Sequence, residues 1–136
     1  MDHLTPTERS ENMRRIRGRD SGPELVVRRL LHKSGYRYRL HRNDLPGRPD
    51  IVFPSRRKVI FVHGCFWHRH RGCKYAYTPK SRTQFWEDKF AQNVKRDARA
   101  EADLRDRGWE TMTVWECETR DASLLLIRLV NFLGDA

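Results

Sequence analysis

The chain has 136 residues, which is enough for one domain with a hydrophobic core and too few for two. Its 28 Lys and Arg residues against 18 Asp and Glu give a net charge of +10, which favours a polyanionic partner such as nucleic acid without implying catalysis. The N-terminus lacks the apolar stretch of a secretory signal, and no apolar run approaches the roughly 20 residues that span a bilayer. Three cysteines do not suggest a disulfide framework, so we expect a cytoplasmic protein, associated with the nucleoid if it binds DNA.

The chain shows no repeat and no linker-like stretch, so it predicts one domain preceded by an arm. Residues 1–20 offer little to bury, and we expect them to form a mobile basic arm that orders against a partner. Residues 21–136 form the single domain. Ser21 and Glu24 have the spacing of a capping box, and apolar residues follow at helical spacing up to Gly35, which predicts a helix.

The remaining pattern predicts a mixed sheet flanked by helices. Strands are predicted first, at residues 36–40, 50–53 and 59–62. A second capping-box pattern at residues 81–84 opens a long helix that ends near Gly108, with small and apolar side chains four residues apart, at Trp86, Phe90, Val94, Ala98 and Ala102. A strand at residues 109–115 and an amphipathic helix over residues 124–132 follow. This order predicts an α/β fold.

Cysteine and histidine residues cluster after the third predicted strand. Three histidines and two cysteines lie between residues 63 and 73, and the third cysteine follows the last predicted strand. Structural zinc takes a tetrahedron of four Cys or His ligands, and the candidate set is Cys65, His70, Cys73 and Cys117. The alternative is a group of small buried cysteines beside surface histidines, but a loop rich in Arg and His has little else to make it rigid. Such a closed set cannot activate water, so this zinc is expected to be structural.

Asp50 begins a predicted strand that should pair with the next one, so it should face Val62 and His63. A carboxylate at a strand end can hold Mg²⁺ against a phosphate, while an imidazole takes a proton from the attacking water. His63 and His68 are not needed as zinc ligands and are candidates for that base. Glu24 is a candidate second acid. The alternative is that Asp50 is a turn residue, Glu24 only a cap residue, and the histidines solvated.

Aromatic side chains stand in polar surroundings. Phe66 and Trp67 interrupt the charged loop, and Trp86 lies near the start of the long helix. Apolar side chains that enter between base pairs kink a duplex, at a lower energetic cost where the pair is mismatched. We therefore predict that Phe66 and Trp67 are DNA wedges, whereas for Trp86 a core position is an equal alternative.

Several motifs in order resemble the very-short-patch repair (Vsr) DNA mismatch endonucleases. These are Leu45-Pro46-Gly47-Arg48-Pro49-Asp50, then Phe61-Val62-His63-Gly64-Cys65-Phe66-Trp67-His68 with His70 and Cys73, then Arg82-Thr83-Gln84-Phe85-Trp86, and Val114-Trp115-Glu116-Cys117. The N-terminal run Arg9-Ser10-Glu11-Asn12-Met13-Arg14 also fits, so the resemblance covers roughly residues 9–117. It implies a restriction-endonuclease-like fold and Mg²⁺-dependent nicking of one strand, 5′ to the thymine of a T:G mismatch. Such mismatches arise when 5-methylcytosine deaminates.

The resemblance also implies residue roles. Asp50 would be the metal-binding carboxylate and His68 the general base, with His63 and Glu24 as supporting residues. Members can carry threonine where this chain has Val62, so only the backbone carbonyl of Val62 can serve the Mg²⁺ ion. The structural zinc would be held by Cys65, His70, Cys73 and Cys117. The residues expected to contact DNA are Phe66, Trp67, Trp86, Met13, Arg14, Lys89 and Asn93.

Alternatives remain for the function. One alternative is a zinc-stabilised DNA-binding module without catalysis, in which Asp50 and His68 are structural. Another alternative is a mismatch or restriction-type nuclease with a different site preference. We expect a monomer that acts on double-stranded DNA containing a mismatch, with mismatch-repair proteins as candidate partners.

Overall fold

The computed structural model describes residues 21–136. The order of elements is α1 (Gly22–Lys33), β1 (Arg39–Leu40), β2 (Ile51–Phe53), β3 (Lys58–His63), α2 (Thr83–Asp106), β4 (Glu110–Trp115) and α3 (Ala122–Leu133). Short 3₁₀ turns at Pro54–Arg56 and Glu116–Arg120 follow β2 and β4. The predicted arm, with its proposed DNA contacts Met13 and Arg14, lies outside the described residues.

The four strands form one mixed sheet in the order β1-β2-β3-β4. Strands β1, β2 and β3 are antiparallel neighbours, with Ile51 opposite Ile60. Strand β4 runs parallel to β3, with Val62 opposite Val114. A parallel pair needs a long crossover connection, and α2 provides it. The predicted mixed α/β sheet is therefore confirmed.

Helices cover both faces of the sheet. One face carries α1 and α3, and its buried side chains include Val27, Leu31, Ile51, Phe53, Ile60, Met112, Val114, Leu125 and Leu129. The other face packs beneath the C-terminal half of α2, through Leu45, Val52, Val59, Phe61, Leu104 and Trp109. Because side chains alternate along a strand, neighbours such as Ile51 and Val52 enter opposite layers. Both layers are apolar, which explains the continuous apolar run in β3.

The two predicted capping boxes have different outcomes. At α1 the Ser21 hydroxyl accepts a hydrogen bond from the Glu24 backbone N–H at 3.3 Å, as expected. The Glu24 carboxylate, however, contacts His41 instead of completing the box. At α2 the capping-box prediction is wrong, because the cap residue is Arg82, in a left-handed conformation with φ of 54° and no side-chain cap.

The predicted apolar stripe of α2 is also wrong in its second half. Val94 is 45% exposed, and Ala98 and Ala102 face solvent. A strict four-residue spacing advances about 400° per step on a helix of 3.6 residues per turn, so it drifts off the buried face. The side chains that α2 buries at least in part along that face are Trp86, Phe90, Asn93, Asp97, Ala100 and Leu104.

Other elements differ little from expectation. The first predicted strand is short, since only Arg39 and Leu40 pair with β2. Tyr36 instead packs edge-on against Phe53 and donates a hydrogen bond to the Gly134 carbonyl. Strand β4 and α3 form as predicted. Among residues 21–136, no helix combines the length and the apolar character that crossing a membrane requires.

Candidate active site

The loop after β3 folds as a series of tight turns. The His68 backbone N–H donates to the Gly64 carbonyl at 3.1 Å, and that of His70 donates to the Cys65 carbonyl at 3.0 Å. Arg69, between them, has a left-handed φ of 59°. The Cys and His side chains in and beside this loop fall into two separate groups.

One group brings together the predicted zinc ligands. The ligand atoms of Cys65, His70, Cys73 and Cys117 all lie within 4.8 Å of one another, and the three cysteines are free thiols. The Nδ1 atom of His70 is 3.6 Å from the Cys65 Sγ atom and 3.4 Å from that of Cys117. Cys117 reaches the loop because β3 and β4 are parallel neighbours and end at the same sheet edge, where His63 lies opposite Trp115.

These side chains suit a metal ion. Burial raises the pKa of the Cys65 thiol to about 12, so a neutral thiol is favoured there until a cation is bound. The His70 ring stacks on Trp115, with 4.4 Å between ring centroids, and this contact fixes its orientation. The set has the donor types of a structural metal site with four ligands.

Asp50 lies opposite the end of β3, as the hairpin register predicts. Its Oδ2 atom accepts a hydrogen bond from the Val62 backbone N–H at 2.7 Å. Burial raises the pKa of Asp50 to about 6, and the negative charge of Glu24 adds to the rise, against lowering by the Val62 hydrogen bond and by the charges of His41 and His68. A bound cation would stabilise the ionised form of a carboxylate buried in this way.

Asp50 shares its surroundings with Glu24 and His41. The ligand atoms of the three residues lie within 4.8 Å of one another. Glu24 is 1% exposed, and its Oε2 atom is 2.8 Å from the Nε2 atom of His41. Arg28 reaches the same oxygen at 3.3 Å. The structure therefore brings the predicted second acid, Glu24, to Asp50.

The two remaining histidines of the loop form a separate group with Asp97. The rings of His63 and His68 stack with 3.8 Å between centroids and 7° between planes. The Nδ1 atom of His68 is 2.7 Å from the Oδ2 atom of Asp97 on α2. Burial lowers the pKa of His63 to about 4, and the charge of His68 contributes to the fall. A cleft of about 390 Å³, lined also by Glu101, opens beside this group.

This arrangement bears on the prediction that His63 and His68 are the two candidates for a base beside Asp50. His68 lies near enough for its charge to lower the pKa of Asp50, but its hydrogen-bond partner is Asp97. His63 is buried, 7% exposed, beneath the His68 ring. A buried neutral histidine is suited to support its neighbour, whereas the His68 side chain, 31% exposed, can meet a substrate.

Sequence reasoning missed His41 and Asp97. His41 follows β1, and only the pairing of β1 with β2 places it beside Asp50, to whose carbonyl its backbone N–H donates at 3.1 Å. Asp97 could have been found from the helical period, because it lies four residues after Asn93 and seven after Phe90 on the buried face of α2. It was missed because the predicted buried face of the helix was the four-residue stripe through Val94.

The predicted aromatic wedges pack against one another. Phe66 contacts Trp67, Trp86 and Phe90, with ring centroids 5.2 to 5.7 Å apart, and Trp67 contacts Trp86 at 5.7 Å. None of the three predicted wedges is fully buried. We call Phe66, Trp67, Trp86 and Phe90 the aromatic cluster. It forms one partly exposed surface between the loop and the N-terminal half of α2.

Arg69 holds this part of the loop together. Its guanidinium group donates to the carbonyls of Phe66, Ala76 and Tyr77 at 3.2, 2.6 and 3.0 Å. It also lies over the Phe90 ring, 3.9 Å from the centroid. Burial lowers the pKa of Arg69. These contacts make Arg69 a structural residue of the loop.

The two helix residues expected to contact DNA differ in their surroundings. Asn93 is buried, and its amide donates to the Trp67 carbonyl at 3.0 Å while its Oδ1 atom accepts a hydrogen bond from Arg96. In this structure the side chain therefore fixes the loop, which sequence reasoning did not predict. Lys89 lies on the same helix and is half-buried.

Comparisons with known proteins identify the family of the chain. The family model for the DNA mismatch endonuclease Vsr matches residues 1–74. The type II nicking enzyme V.XorIIP of Xanthomonas oryzae pv. oryzae is 53% identical over 132 residues, covering 97% of this chain and 96% of the relative. The DNA mismatch endonuclease Vsr of Escherichia coli K12 is 46% identical over 112 residues, covering 82% of this chain and 71% of the relative. The chain therefore belongs to the Vsr family of DNA mismatch endonucleases, and it is a DNA endonuclease.

Proposed function

We propose that the protein nicks one strand of double-stranded DNA 5′ to the thymine of a T:G mismatch, in a Mg²⁺-dependent reaction of very-short-patch repair. The observation that carries the proposal is that Asp50 is hydrogen-bonded to Val62 at the end of β3, next to His63, on whose ring the Asp97-bound His68 is stacked. A buried carboxylate beside an oriented imidazole is the arrangement that metal-assisted phosphodiester hydrolysis requires. The family membership supplies the DNA substrate.

The residues around Asp50 fit a hard divalent cation. Asp50 and Glu24 offer carboxylate oxygens, the ligands that Mg²⁺ prefers, and the Val62 backbone carbonyl is proposed as a further ligand. The clustering of two acids in a buried pocket is costly without a cation, as the raised pKa of Asp50 indicates. When bound, Mg²⁺ would polarise the scissile phosphate and neutralise its developing charge.

His68 is the proposed general base. The Asp97 carboxylate accepts a hydrogen bond from the Nδ1–H group of His68, which leaves the Nε2 lone pair to take a proton from water as the water oxygen attacks the phosphorus atom. The bond from phosphorus to the 3′ oxygen of the preceding nucleotide then breaks. His63 supports the His68 ring by stacking, and its low pKa keeps it uncharged beneath a base that becomes positive.

The second proposed metal is a structural zinc ion held by Cys65, His70, Cys73 and Cys117. In a tetrahedron with Zn–S of about 2.3 Å and Zn–N of about 2.0 Å, sulfur and nitrogen ligands lie roughly 3.6 Å apart. The His70 Nδ1 atom lies 3.6 and 3.4 Å from two of the sulfur atoms, which supports this assignment. All four positions are filled by protein, so this ion would fasten the loop to β4 and take no part in hydrolysis.

DNA recognition is proposed to use the aromatic cluster and the basic charge of the chain. Phe66, Trp67 and Trp86 would enter the duplex at the mismatch, where unstacking costs least. Lys89 is proposed to contact the phosphate backbone. Asn93 would act through the Trp67 carbonyl that it holds. Residues 1–20, with Met13 and Arg14, are proposed as an arm that grips the opposite groove.

We further propose that residues 21–136 form one endonuclease domain with a restriction-endonuclease-like fold. The mixed sheet with helices on both faces supports that assignment. The protein is proposed to act as a cytoplasmic monomer, associated with the nucleoid through its substrate and with mismatch-repair proteins as candidate partners.

A nuclease with a different site preference is the second candidate. It is favoured by the relatives in Xanthomonas oryzae and Neisseria meningitidis, which are named type II nicking enzymes. Duplexes carrying each mismatch in varied flanking sequence separate the candidates. Nicking confined to T:G duplexes supports the first, whereas equal cleavage of other mismatches or of matched sites supports the second.

The catalytic assignment is tested with Asp50→Ala, with Asp44→Ala as the matched control. Asp44 belongs to the same connection between β1 and β2, but its side chain is 63% exposed and pairs with Arg42. We expect Asp50→Ala to bind mismatched duplex and to lose nicking with Mg²⁺, while Asp44→Ala keeps both. A DNA-binding module without catalysis predicts that purified wild-type protein does not nick at all. Undiminished nicking by Asp50→Ala would remove the proposed mechanism.

A further inference from the structure

We propose that His41 is a direct ligand of the catalytic metal, so that the site is a mixed oxygen and nitrogen site that prefers a first-row transition cation such as Mn²⁺ or Co²⁺ to Mg²⁺. The inference rests on the proposed function, because it concerns the same ion. It assigns a ligand role to a residue that the family motifs do not include, and it changes the expected cofactor class.

The first support is the position of the His41 imidazole. Its Nε2 atom lies 2.8 Å from Glu24 Oε2, and the ligand atoms of His41, Glu24 and Asp50 all fall within 4.8 Å. The distance between His41 Nε2 and Glu24 Oε2 is close to that of neighbouring ligands around one ion, which is about 3 Å for bonds of roughly 2.1 Å. Arg28 contacts the same Glu24 oxygen, and the carboxylate has a second oxygen for a cation.

The second support is how the chain places this side chain. His41 has a left-handed φ of 49°, which is uncommon for a residue other than glycine. The conformation is held by the hydrogen bond from its backbone N–H to the Asp50 carbonyl at 3.1 Å. The imidazole is 12% exposed and the Glu24 carboxylate 2%. Backbone strain that turns a polar side chain inward is characteristic of functional sites.

The third support is the chemistry of the donors. Mg²⁺ favours oxygen ligands and keeps several waters, whereas an imidazole nitrogen is a better ligand for transition cations. A set of two carboxylates and one imidazole therefore raises the affinity for Mn²⁺ and Co²⁺ more than that for Mg²⁺. These cations carry the same charge as Mg²⁺, so the roles of Asp97 and His68 do not change.

The test compares wild-type protein with His41→Gln, using protein with a verified zinc content so that the cysteine set is already filled. Glutamine can keep a hydrogen bond to Glu24 but replaces the ring nitrogen. His32→Gln is the matched control, because His32 is an exposed histidine in the last turn of α1. Mn²⁺ binding is measured from its electron paramagnetic resonance signal, and Mg²⁺ and Co²⁺ binding by competition with Mn²⁺.

We expect wild-type protein and His32→Gln to bind Mn²⁺ more tightly than Mg²⁺, and His41→Gln to lose about 10-fold or more of that preference. Pulsed resonance on bound Mn²⁺ should detect a directly ligated nitrogen in the first two proteins and none in His41→Gln. An equal fall in Mn²⁺ and Mg²⁺ affinity, or no nitrogen signal in wild-type protein, would show that His41 only orients Glu24 and overturns the inference.

The spectroscopic result on wild-type protein does not depend on the folding of a variant. Failure of the inference can also be separated from failure of the proposed function. Wild-type protein that nicks with Mg²⁺ but shows no nitrogen ligand and no preference for Mn²⁺ refutes the ligand role of His41 alone. Nicking that persists in Asp50→Ala refutes the catalytic site itself.

Discussion

The Nδ1 atom of His68 lies 2.7 Å from the Oδ2 atom of Asp97, so a residue of the loop after β3 is paired with a residue in the middle of α2. The His68 ring is also stacked on His63. A carboxylate at Nδ1 fixes both the tautomer and the direction of the imidazole, and it leaves Nε2 unprotonated for proton transfer. The pairing gives Asp97 a positioning role, because it acts on the substrate only through His68.

Replacement of Asp97 by asparagine is expected to lower kcat by about 10²-fold, at the lower end of what general-base catalysis contributes. The asparagine amide can donate to Nδ1 and so favours the wrong tautomer. KM for mismatched duplex should stay within about twofold, and the pH profile of kcat should change. The control is Asp103→Asn, an exposed carboxylate on the same helix. A pure fall in DNA affinity with kcat unchanged would contradict this role.

Removal of the zinc ion proposed for the cysteine set is expected to destabilise the whole domain. The four side chains join the loop to the turn after β4, and few other contacts replace them if the thiols are protonated. Cys117→Ala should therefore bind less than one zinc ion per chain and unfold at a lower temperature, and a strong chelator should do the same to wild-type protein. His32→Gln provides a matched control outside the set. A stable Cys117→Ala protein with full zinc content would contradict the ligand assignment.

Arg69→Lys is expected to cost about 1–3 kcal/mol of unfolding free energy, although the positive charge is retained. Lysine cannot reproduce the planar fork that binds the carbonyls of Phe66, Ala76 and Tyr77, and the acceptors among them that are partly buried would lose their donors. Arg71→Lys, at an exposed position of the same loop, should be neutral. Chemical denaturation of the two variants measures the difference, and equal stabilities would argue against a structural role for Arg69.

The local parts of the fold could be predicted from the sequence, and the contacts between distant elements could not. The strands β2, β3 and β4 and the cap at Ser21 follow from alternation and short spacings. The position of Asp50 opposite Val62 follows from hairpin register. The shortness of β1 could not be predicted, because it results from the packing of Tyr36 against Phe53 and its hydrogen bond to the Gly134 carbonyl near the C-terminus.

The candidate site was predictable to the same degree. The four Cys and His side chains could be grouped because zinc restricts the donor types, whereas His41 has no comparable signal in the sequence and Asp97 has only its position in the helical period. Each enters the site through tertiary structure, His41 through strand pairing and Asp97 through the rotation of α2 against the loop. The hydrogen bond of Asn93 to the Trp67 carbonyl could not be predicted for the same reason, since the two residues are 26 positions apart in the sequence.

Truncation of the aromatic cluster is expected to reduce mismatch selectivity more than DNA affinity. Phe66→Ala removes the ring that contacts Trp67, Trp86 and Phe90. It should lower the preference for mismatched over matched duplex by about 10-fold, because a few kcal/mol of unstacking energy is shared among several rings. Leu124→Ala, an exposed residue of α3, is the control. Competition binding with both duplexes gives the ratio. An unchanged ratio would place the wedge elsewhere.

The burial of Asp50 predicts a pH-dependent difference in stability between the wild-type protein and Asp50→Asn. The folded-state pKa is raised from 3.8 to about 6, so the contribution of the carboxyl group to stability is fully present below pH 3.8 and is lost as pH rises through 6. Without divalent cations, Asp50→Asn should therefore gain stability relative to the wild-type protein between pH 4 and 7, by about 3 kcal/mol. Asparagine keeps an acceptor for the Val62 N–H, and the other titrating groups largely cancel in the difference.

Two comparisons test this origin of the effect. Asp44→Asn should show the opposite direction, because the hydrogen bond from Arg42 lowers the pKa of Asp44 and ionisation there stabilises the fold. Saturating Mg²⁺ should stabilise the wild-type protein at pH 7.5 and leave Asp50→Asn nearly unchanged, since a cation that binds only the folded state adds its binding free energy. Thermal or denaturant unfolding across this pH range provides the measurement. A pH-independent difference would mean that Asp50 is solvated in solution and that its burial does not prepare the site for a cation.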